Sequence, residues 1–156
     1  MPILRKLQAV LDSYKVPFEV LPHSETYTAQ ETAEVQRIPG DKLAKVVIVK
    51  KENGTPVMLV LLASYHVNFA WLREVLGTRA TLEEEREFRG LFPECEIGAE
   101  PPFGNLFDLD TVVDTSLTKD DEIVFNAGSH YQTVKMRYDD YARIVHPKIA
   151  KFAEHL

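Results

Sequence analysis

The sequence has little of what several common classes of protein require. It holds one cysteine among 156 residues, which excludes an internal disulfide and favours a reducing compartment, so we expect a cytoplasmic protein. Its longest apolar run, Val57 to Ala63, is far shorter than the roughly 20 residues that a membrane helix needs. The first residues lack the basic and then apolar pattern of a signal peptide. We therefore expect no membrane partner.

Basic residues are fewer than acidic ones, 18 against 24, and the net charge is −6. This balance argues against a general nucleic-acid binder and against DNA as a partner. The acidic excess lies in the middle of the chain, whereas residues 1–51 and 129–156 each carry a small positive excess. If the two ends fold together they would form a cationic face; a random distribution over the surface is the alternative.

Several catalytic signatures are missing. The sequence contains no G-x-S-x-G elbow, no phosphate-binding G-x-x-x-x-G-K, no G-x-G-x-x-G and no H-E-x-x-H. Its five histidines form no pair at ligand spacing, so we expect no metal and no cofactor. Cys95 stands between two glutamates that disfavour its thiolate, which favours a plain loop residue over a nucleophile.

What is present is typical of one globular domain, which we expect to cover residues 1–156. Hydrophobic residues make up 45% and charged residues 27% of a 17.8 kDa chain. Antiparallel hairpins mixed with helices predict a mixed α+β fold, in the broad α/β class, rather than a doubly wound parallel sheet. The periodicity predicts helices over residues 3–15, 28–37, 69–76, 81–92 and 138–145, strands over 18–21, 44–50, 57–62, 111–113, 122–126 and 132–136, and a last turn or helix after 147.

Turn and capping residues set several of these boundaries. Asn53-Gly54 is the strongest short hairpin signal in the chain. Asn68 is suited to cap the helix that ends at Leu76. The spacing of Thr28 with Glu31, and of Thr81 with Glu84, predicts two capping boxes that open helices.

Lys45 lies in a predicted strand that is otherwise apolar. Alternation places Lys45 on one face with Val47 and Val49, and both faces are apolar, so the strand should be central. An isolated buried ammonium is very costly, so this lysine must reach water, a partner charge or a ligand. The alternative is a lysine that protects a strand edge or extends its charge to solvent.

Two further segments have the composition of functional loops. Residues 93–105 hold three prolines and two glycines, which excludes regular structure. Gly98 allows close approach to the backbone, Pro101 and Pro102 stiffen the loop, and a rigid loop with a bare N–H can stabilise an oxyanion. Asn126 to His130 reads as a tight turn that presents polar side chains. A plain surface turn and a structural histidine are the alternatives.

Taken in order, these residues resemble the YbaK family of aminoacyl-tRNA deacylases, which is related to the editing insertion of bacterial prolyl-tRNA synthetase. The resemblance covers roughly residues 15–150. It implies a curved, partly barrel-like mixed β-sheet of about six or seven strands with flanking helices. It also implies hydrolysis of the ester that joins a wrong amino acid to the 3′ end of a tRNA. The motifs that carry it are Thr28-Ala29, Lys45, Gly98-x-x-x-Pro102, Val113-Asp114 and Phe125 to His130.

The resemblance also implies site residues. Lys45 resembles the lysine needed for activity, and Gly98 resembles the glycine whose backbone N–H approaches the substrate carbonyl. His130 resembles the histidine that lines the side-chain cavity. The remaining positions implied to bind substrate are Thr28, Pro102, Asp114, Gly128 and Ser129.

On this basis we expect trans-editing of a small non-cognate amino acid, with tRNA-Pro as the first expected tRNA. Water would attack the ester with a ribose hydroxyl of the terminal adenosine as base, since no catalytic triad is visible. Binding of the aminoacyl-tRNA 3′ end should be weak and salt-sensitive, and prolyl-tRNA synthetase or an elongation factor is the candidate helper. The alternatives are a non-catalytic module of the same fold that binds aminoacyl-tRNA or a synthetase, and a hydrolase that uses Cys95.

Overall fold

The computed structural model describes residues 3–22 and 42–155. The predicted helix over 28–37, with Thr28, lies outside the described residues. The described residues form four helices, α1 (Arg5–Tyr14), α2 (Phe69–Leu76), α3 (Glu85–Phe88) and α4 (Tyr138–Val145). They also form ten strands: β1 (Phe18–Pro22), β2 (Ala44–Lys51), β3 (Pro56–Leu62), β4 (Tyr65–Val67), β5 (Ala80–Leu82), β6 (Asp110–Asp114), β7 (Glu122–Asn126), β8 (Gln132–Arg137), β9 (Lys148–Ala150) and β10 (Ala153–His155).

The strands form three sheets, and the mixed α+β class is confirmed. The largest sheet has the order β5-β2-β3-β6-β9, antiparallel from β5 to β3 and parallel from β3 to β9. A three-stranded antiparallel sheet has the order β1-β8-β7, and β10 pairs with β4. The described strands outnumber the six or seven that were expected because four of them have only three residues. The barrel-like curvature stays a prediction.

Strand β3 separates two parts of the core. Met58, Val60 and alternate residues face a larger cluster that includes α1 and α4, whereas Leu59, Leu61 and their neighbours face a smaller one that includes α2. A strand buried on both faces needs apolar side chains at successive positions. This explains the continuous apolar run in the sequence.

Local signals set several boundaries correctly. The Asn68 side chain accepts a hydrogen bond from the Trp71 amide and caps α2, and Gly77 ends that helix with a φ of 72°. Gly54 sits in the β2–β3 hairpin turn with a φ of 90°. The predicted bounds of α4 and β7 agree with the structure.

The helix predicted over 81–92 begins at Glu85 instead of Thr81, and the turn or helix predicted after Pro147 is wrong. Thr81 lies in β5, and the capping box is formed one turn later, by Glu84 and Glu87 at the start of the short α3. The segment after Pro147 forms β9 and β10 instead of a turn or helix. In both cases a strand partner that is distant in sequence overrides the local preference, because β5 pairs with β2 and β9 pairs with β6.

Candidate active site

The Gly98 loop is exposed at its tip and anchored at its end. Gly98 is exposed and has a φ of 86°, a conformation that glycine adopts without steric cost. Pro101 and Pro102 are buried, and the carbonyl oxygen of Pro102 accepts a 2.6 Å hydrogen bond from the Tyr141 hydroxyl in the core. Pro102 therefore holds the loop to α4.

A second loop, residues 127–130, follows β7 and is bound to the first by its main chain. The Glu96 amide donates to the Gly128 carbonyl and the Gly128 amide donates to the Ala99 carbonyl, each over 2.9 Å. We call residues 96–99 and 127–130 together the loop pair. The Ala127 carbonyl also accepts a 3.0 Å hydrogen bond from the Leu4 amide, so the start of α1 supports the same structure.

His130 is buried, with 5% of its surface exposed, and both its backbone and its ring bind the first loop. Its amide donates to Oε1 of Glu96 over 3.0 Å. Its Nε2 lies 2.6 Å from the Ile97 carbonyl oxygen, and because a carbonyl only accepts, Nε2 is the donor. A Cβ at Gly98 would lie 3.4 Å from Cε1 of the His130 ring. The structure thus places the Gly98 backbone beside the His130 ring, and their roles towards a substrate stay a prediction.

The Gly98 amide, predicted to be bare, is paired. It donates a 3.1 Å hydrogen bond to Oε1 of Glu100, because the chain turns back on itself between these residues. Glu100 is only 6% exposed, and burial raises the pKa of its carboxyl group. Sequence reasoning missed Glu100, since a glutamate ahead of two prolines has the composition of an ordinary surface turn.

Gly128 and Ser129 lie in the loop pair but line a different pocket from His130. Gly128 has a φ of 104°, and a Cβ there would lie 3.0 Å from Cβ of Leu4. Ser129 accepts a 3.3 Å hydrogen bond at its Oγ from the Tyr131 amide. Both residues line a pocket with Leu4 and other residues at the start of α1, whereas His130 lines a pocket with Cys95 and Arg89.

Lys45 lies near the start of β2 and is half-buried. Its Nζ donates a 3.3 Å hydrogen bond to the carbonyl oxygen of Ala63, and burial lowers the pKa of Lys45. A parallel bridge between Leu43 and Val124 brings the start of β2 beside β7, the strand that leads into the loop pair. That the Lys45 ammonium and the Gly98 amide face one cavity stays a prediction.

Asp114 is 2% exposed, and protein donors occupy its carboxylate. Its Oδ1 accepts from the amides of Phe152 and Ala153, each over 2.9 Å. Its Oδ2 accepts from both the amide and the hydroxyl of Ser116. An ionised carboxylate has about four acceptor positions, so this group ties the end of β6 to the turn between β9 and β10. A contact between Asp114 and substrate stays a prediction.

Cys95 is poorly suited to act as a nucleophile. Burial, with Glu100 and Glu94 adding to it, raises the pKa of the Cys95 thiol to about 12. The thiolate is the nucleophilic form, so this cysteine is almost entirely unreactive at neutral pH.

Other kinds of site are not seen in the described ranges, 3–22 and 42–155. No group of three or more histidine, cysteine, aspartate or glutamate side chains there could hold a metal ion. No helix among these residues combines the length and the apolar character that a membrane span requires.

Comparison with known proteins identifies the family of this chain. The model of the aminoacyl-tRNA editing domain matches residues 23–144, which span the loop pair, Glu100 and Lys45. The chain belongs to the aminoacyl-tRNA editing domain family. It is 31% identical over 153 residues to the multifunctional Ser/Thr-tRNA deacylase ProXp-y of Escherichia coli K12, covering 95% of this chain and 91% of that protein. The chain is therefore an aminoacyl-tRNA hydrolase, and the predicted YbaK-type family is confirmed.

Solved structures support the fold of this editing domain. The hypothetical protein APE2540 superposes with a TM-score of 0.87 at 18% identity, over 96% of this chain and all of that one. A candidate trans-editing enzyme for prolyl-tRNA synthetase superposes with a TM-score of 0.80 at 20% identity, over 96% of both chains.

Proposed function

We propose that this editing domain acts in trans and, as one domain over residues 1–156, removes a small non-cognate amino acid from tRNA, with tRNA-Pro as the first tRNA to test. The observation that carries the proposal is the loop pair, which holds the exposed Gly98 backbone against the buried His130 ring. The similarity to the Ser/Thr-tRNA deacylase of E. coli supports serine and threonine as removable amino acids. A synthetase pocket discriminates one methylene by only about 1–3 kcal/mol, so such errors need a second, hydrolytic site.

The protein does not need to supply a strong nucleophile, because an aminoacyl ester is already activated. Water attacks the ester carbonyl, and the Gly98 N–H stabilises the developing oxyanion. One such donor contributes about 2.7–4 kcal/mol to transition-state stabilisation in other enzymes. The substrate carbonyl must replace the Glu100 carboxylate as the acceptor of this N–H. A ribose hydroxyl of the terminal adenosine accepts the proton of the attacking water and passes its own proton to the ester oxygen. The bond between the carbonyl carbon and that oxygen then breaks, which releases the free amino acid and leaves the ribose intact.

His130 acts as a wall of the amino-acid pocket and not as the base. Its Nε2 proton is committed to the Ile97 carbonyl, and its amide is held by Glu96. A ring fixed in this way limits the size of the side chain that can enter. Pro102 and Gly128 hold the two loops in place, and Thr28, Asp114 and Ser129 remain proposed contacts of the substrate.

Lys45 holds a phosphate or the sugar of the terminal adenosine. The Lys45 ammonium donates its hydrogen bond to a carbonyl oxygen, which carries no net charge. Among the described residues no salt bridge includes Lys45, so no carboxylate there offsets its positive charge. Half-burial strengthens the attraction of such a charge for an anion. The nearby β7 leads from this charge to the loop pair.

The test is a panel of tRNA-Pro charged with alanine, cysteine, serine, threonine or proline, together with seryl-tRNA and threonyl-tRNA. We expect deacylation of the small amino acids and little loss of prolyl-tRNA. Lys45→Ala should lower kcat/KM by roughly 100-fold, as for loss of a charged group that positions substrate. Lys51→Ala, at the far end of β2, is the matched control and should stay within about twofold. Equal rates for Lys45→Ala and the unmodified enzyme would show that the lysine has no such role.

A further inference from the structure

Glu100 is a buried carboxylate that the proposed mechanism does not use. It is 6% exposed, it accepts a hydrogen bond from the Gly98 amide, and no salt bridge among residues 3–22 and 42–155 includes it. A buried carboxylate that no salt bridge compensates is costly, and burial accordingly raises the pKa of Glu100. Such a group is well suited to a cation supplied by a ligand.

The substrate carries a cation at the required place. In an aminoacyl ester the α-ammonium is attached to the carbon next to the ester carbonyl. A carbonyl oxygen that approaches the Gly98 N–H therefore brings the ammonium close to any acceptor near that N–H. Oε1 of Glu100 lies 3.1 Å from the Gly98 nitrogen.

The charges around Glu100 act in both directions. The charge interaction with His130 lowers the pKa of the Glu100 carboxyl group and that with Glu85 raises it, and both residues line the pocket beside the loop pair. The amide of His130 donates its hydrogen bond to Glu96 and so does not donate to Glu100. An incoming ammonium would offset the free-energy cost of burying the carboxylate and would also offset its repulsion by Glu85.

We propose that the Glu100 carboxylate is the subsite that binds the α-ammonium of the aminoacyl group. This inference rests on the proposed function. When substrate binds, Glu100 releases the Gly98 N–H to the ester carbonyl and accepts hydrogen bonds from the α-ammonium instead. The subsite binds the free amino group, which every aminoacyl-tRNA has. The His130 wall instead limits which side chain can enter.

The experiment compares seryl-tRNA with N-acetyl-seryl-tRNA, which keeps the ester and the side chain but lacks the positive charge. The unmodified enzyme should prefer seryl-tRNA. Glu100→Gln should lower kcat/KM for seryl-tRNA by about 10- to 100-fold, the effect of losing a hydrogen bond to a charged group. The same variant should change the rate on N-acetyl-seryl-tRNA by less than about threefold. Glu94→Gln, an exposed glutamate of the same segment, is the control and should behave as the unmodified enzyme.

Three results would overturn the subsite. These are equal hydrolysis of the two substrates by the unmodified enzyme, an equal loss on both substrates in Glu100→Gln, and a faster Glu100→Gln enzyme. The first needs no variant, so it applies even if Glu100→Gln fails to fold, which a thermal melt would reveal. If the unmodified enzyme cleaves none of the charged tRNAs, that result would instead contradict the proposed function, and the subsite proposal would fail with it.

Discussion

At the scale of single residues, the proposed oxyanion donor is a backbone group, the N–H of Gly98. Its φ of 86° is strained for an L-residue, and an added Cβ would lie 3.4 Å from the His130 ring. The left-handed region costs a residue with a Cβ roughly 1–2 kcal/mol, and any relief of this strain moves the amide. The position of the N–H is therefore more sensitive to substitution than the stability of the fold.

We expect Gly98→Ala to lower the single-turnover rate of deacylation by about 10-fold or more, because a misplaced oxyanion donor loses most of its effect. Its thermal midpoint should fall by only about 2–4 °C per kcal/mol of strain. Gly90→Ala is the control, since a Cβ at Gly90 meets nothing within 4 Å. Normal catalysis by Gly98→Ala would argue that this amide does not contact the reacting carbonyl.

Cys95 gives a second residue-scale prediction, in which catalysis should not change. The pKa of its thiol is raised from 9.0 to about 12, so the folded state holds the proton more tightly than the unfolded state. The resulting stability is present below pH 9 and is lost as the pH rises from 9 towards 12. At pH 8 iodoacetamide should alkylate Cys95 at least about 100-fold more slowly in the native protein than in urea. Cys95→Ser should keep the deacylase activity, and a loss of it would reopen the case for a cysteine nucleophile.

At the scale of elements, the carboxylate of Asp114 joins parts of the chain that are distant in sequence. It accepts hydrogen bonds from the amides of Phe152 and Ala153 at the turn between β9 and β10. Phe152 is fully buried in the smaller core cluster. The covering of that cluster therefore depends on one acidic side chain at the end of β6.

Asp114→Asn should destabilise the fold by roughly 2–4 kcal/mol, because the new amide group would face buried N–H donors and leave some of them unpaired. Chemical unfolding followed by circular dichroism measures this change. Asp110→Asn, at the exposed start of the same strand, is the matched control and should be nearly neutral. A full-strength fold with Asp114→Asn would show that β9 and β10 are held mainly by their apolar contacts.

Elements with strong local signals could be predicted from the sequence, and elements that depend on distant partners could not. Asn68 caps α2 through its own third neighbour, so a few adjacent residues decide where that helix begins. Thr81 has an equally good capping pattern, yet it lies in strand β5 because β5 pairs with β2. The strands after Pro147 have only three residues each, and they are stabilised by pairing with β6 and β4, which are distant in sequence.

The site follows the same rule. The composition of the two loops predicts Gly98 and His130 as candidate residues, because glycine, proline and polar turn residues are concentrated there. The main-chain bonds that join the loops connect residues about 30 positions apart and leave no local pattern. Glu100 was missed for the same reason, since its importance comes from its burial and not from its neighbours in sequence.

At the scale of the whole molecule, the net charge of −6 opposes tight binding of a polyanion. Only a small number of phosphate contacts, such as the one proposed for Lys45, is then expected with the last nucleotides of the tRNA. Each phosphate contact contributes a counterion that is released on binding, so a small number of contacts gives a shallow dependence on salt. We propose that a synthetase or an elongation factor that also binds the tRNA compensates for a low affinity of this protein for tRNA.

We expect kcat/KM to fall by about 10-fold between 50 and 200 mM salt, which corresponds to two or three phosphate contacts with a single strand. Rate measurements at several concentrations of potassium chloride test this expectation, and Lys45→Ala should give a shallower slope. A rate that is independent of salt, or a nanomolar complex with bare tRNA, would contradict it.

The main-chain bonding of the loop pair has a practical consequence for protein engineering. The carbonyl and amide groups of Gly128 fix the first loop without help from most of its side chains. Ile97 contributes its backbone carbonyl to this bonding and its side chain is only half-buried, so that side chain can be varied in a library while the proposed oxyanion donor keeps its place. Ile97 lines the pocket that His130 lines, so randomising this one position should give deacylases with altered amino-acid preference.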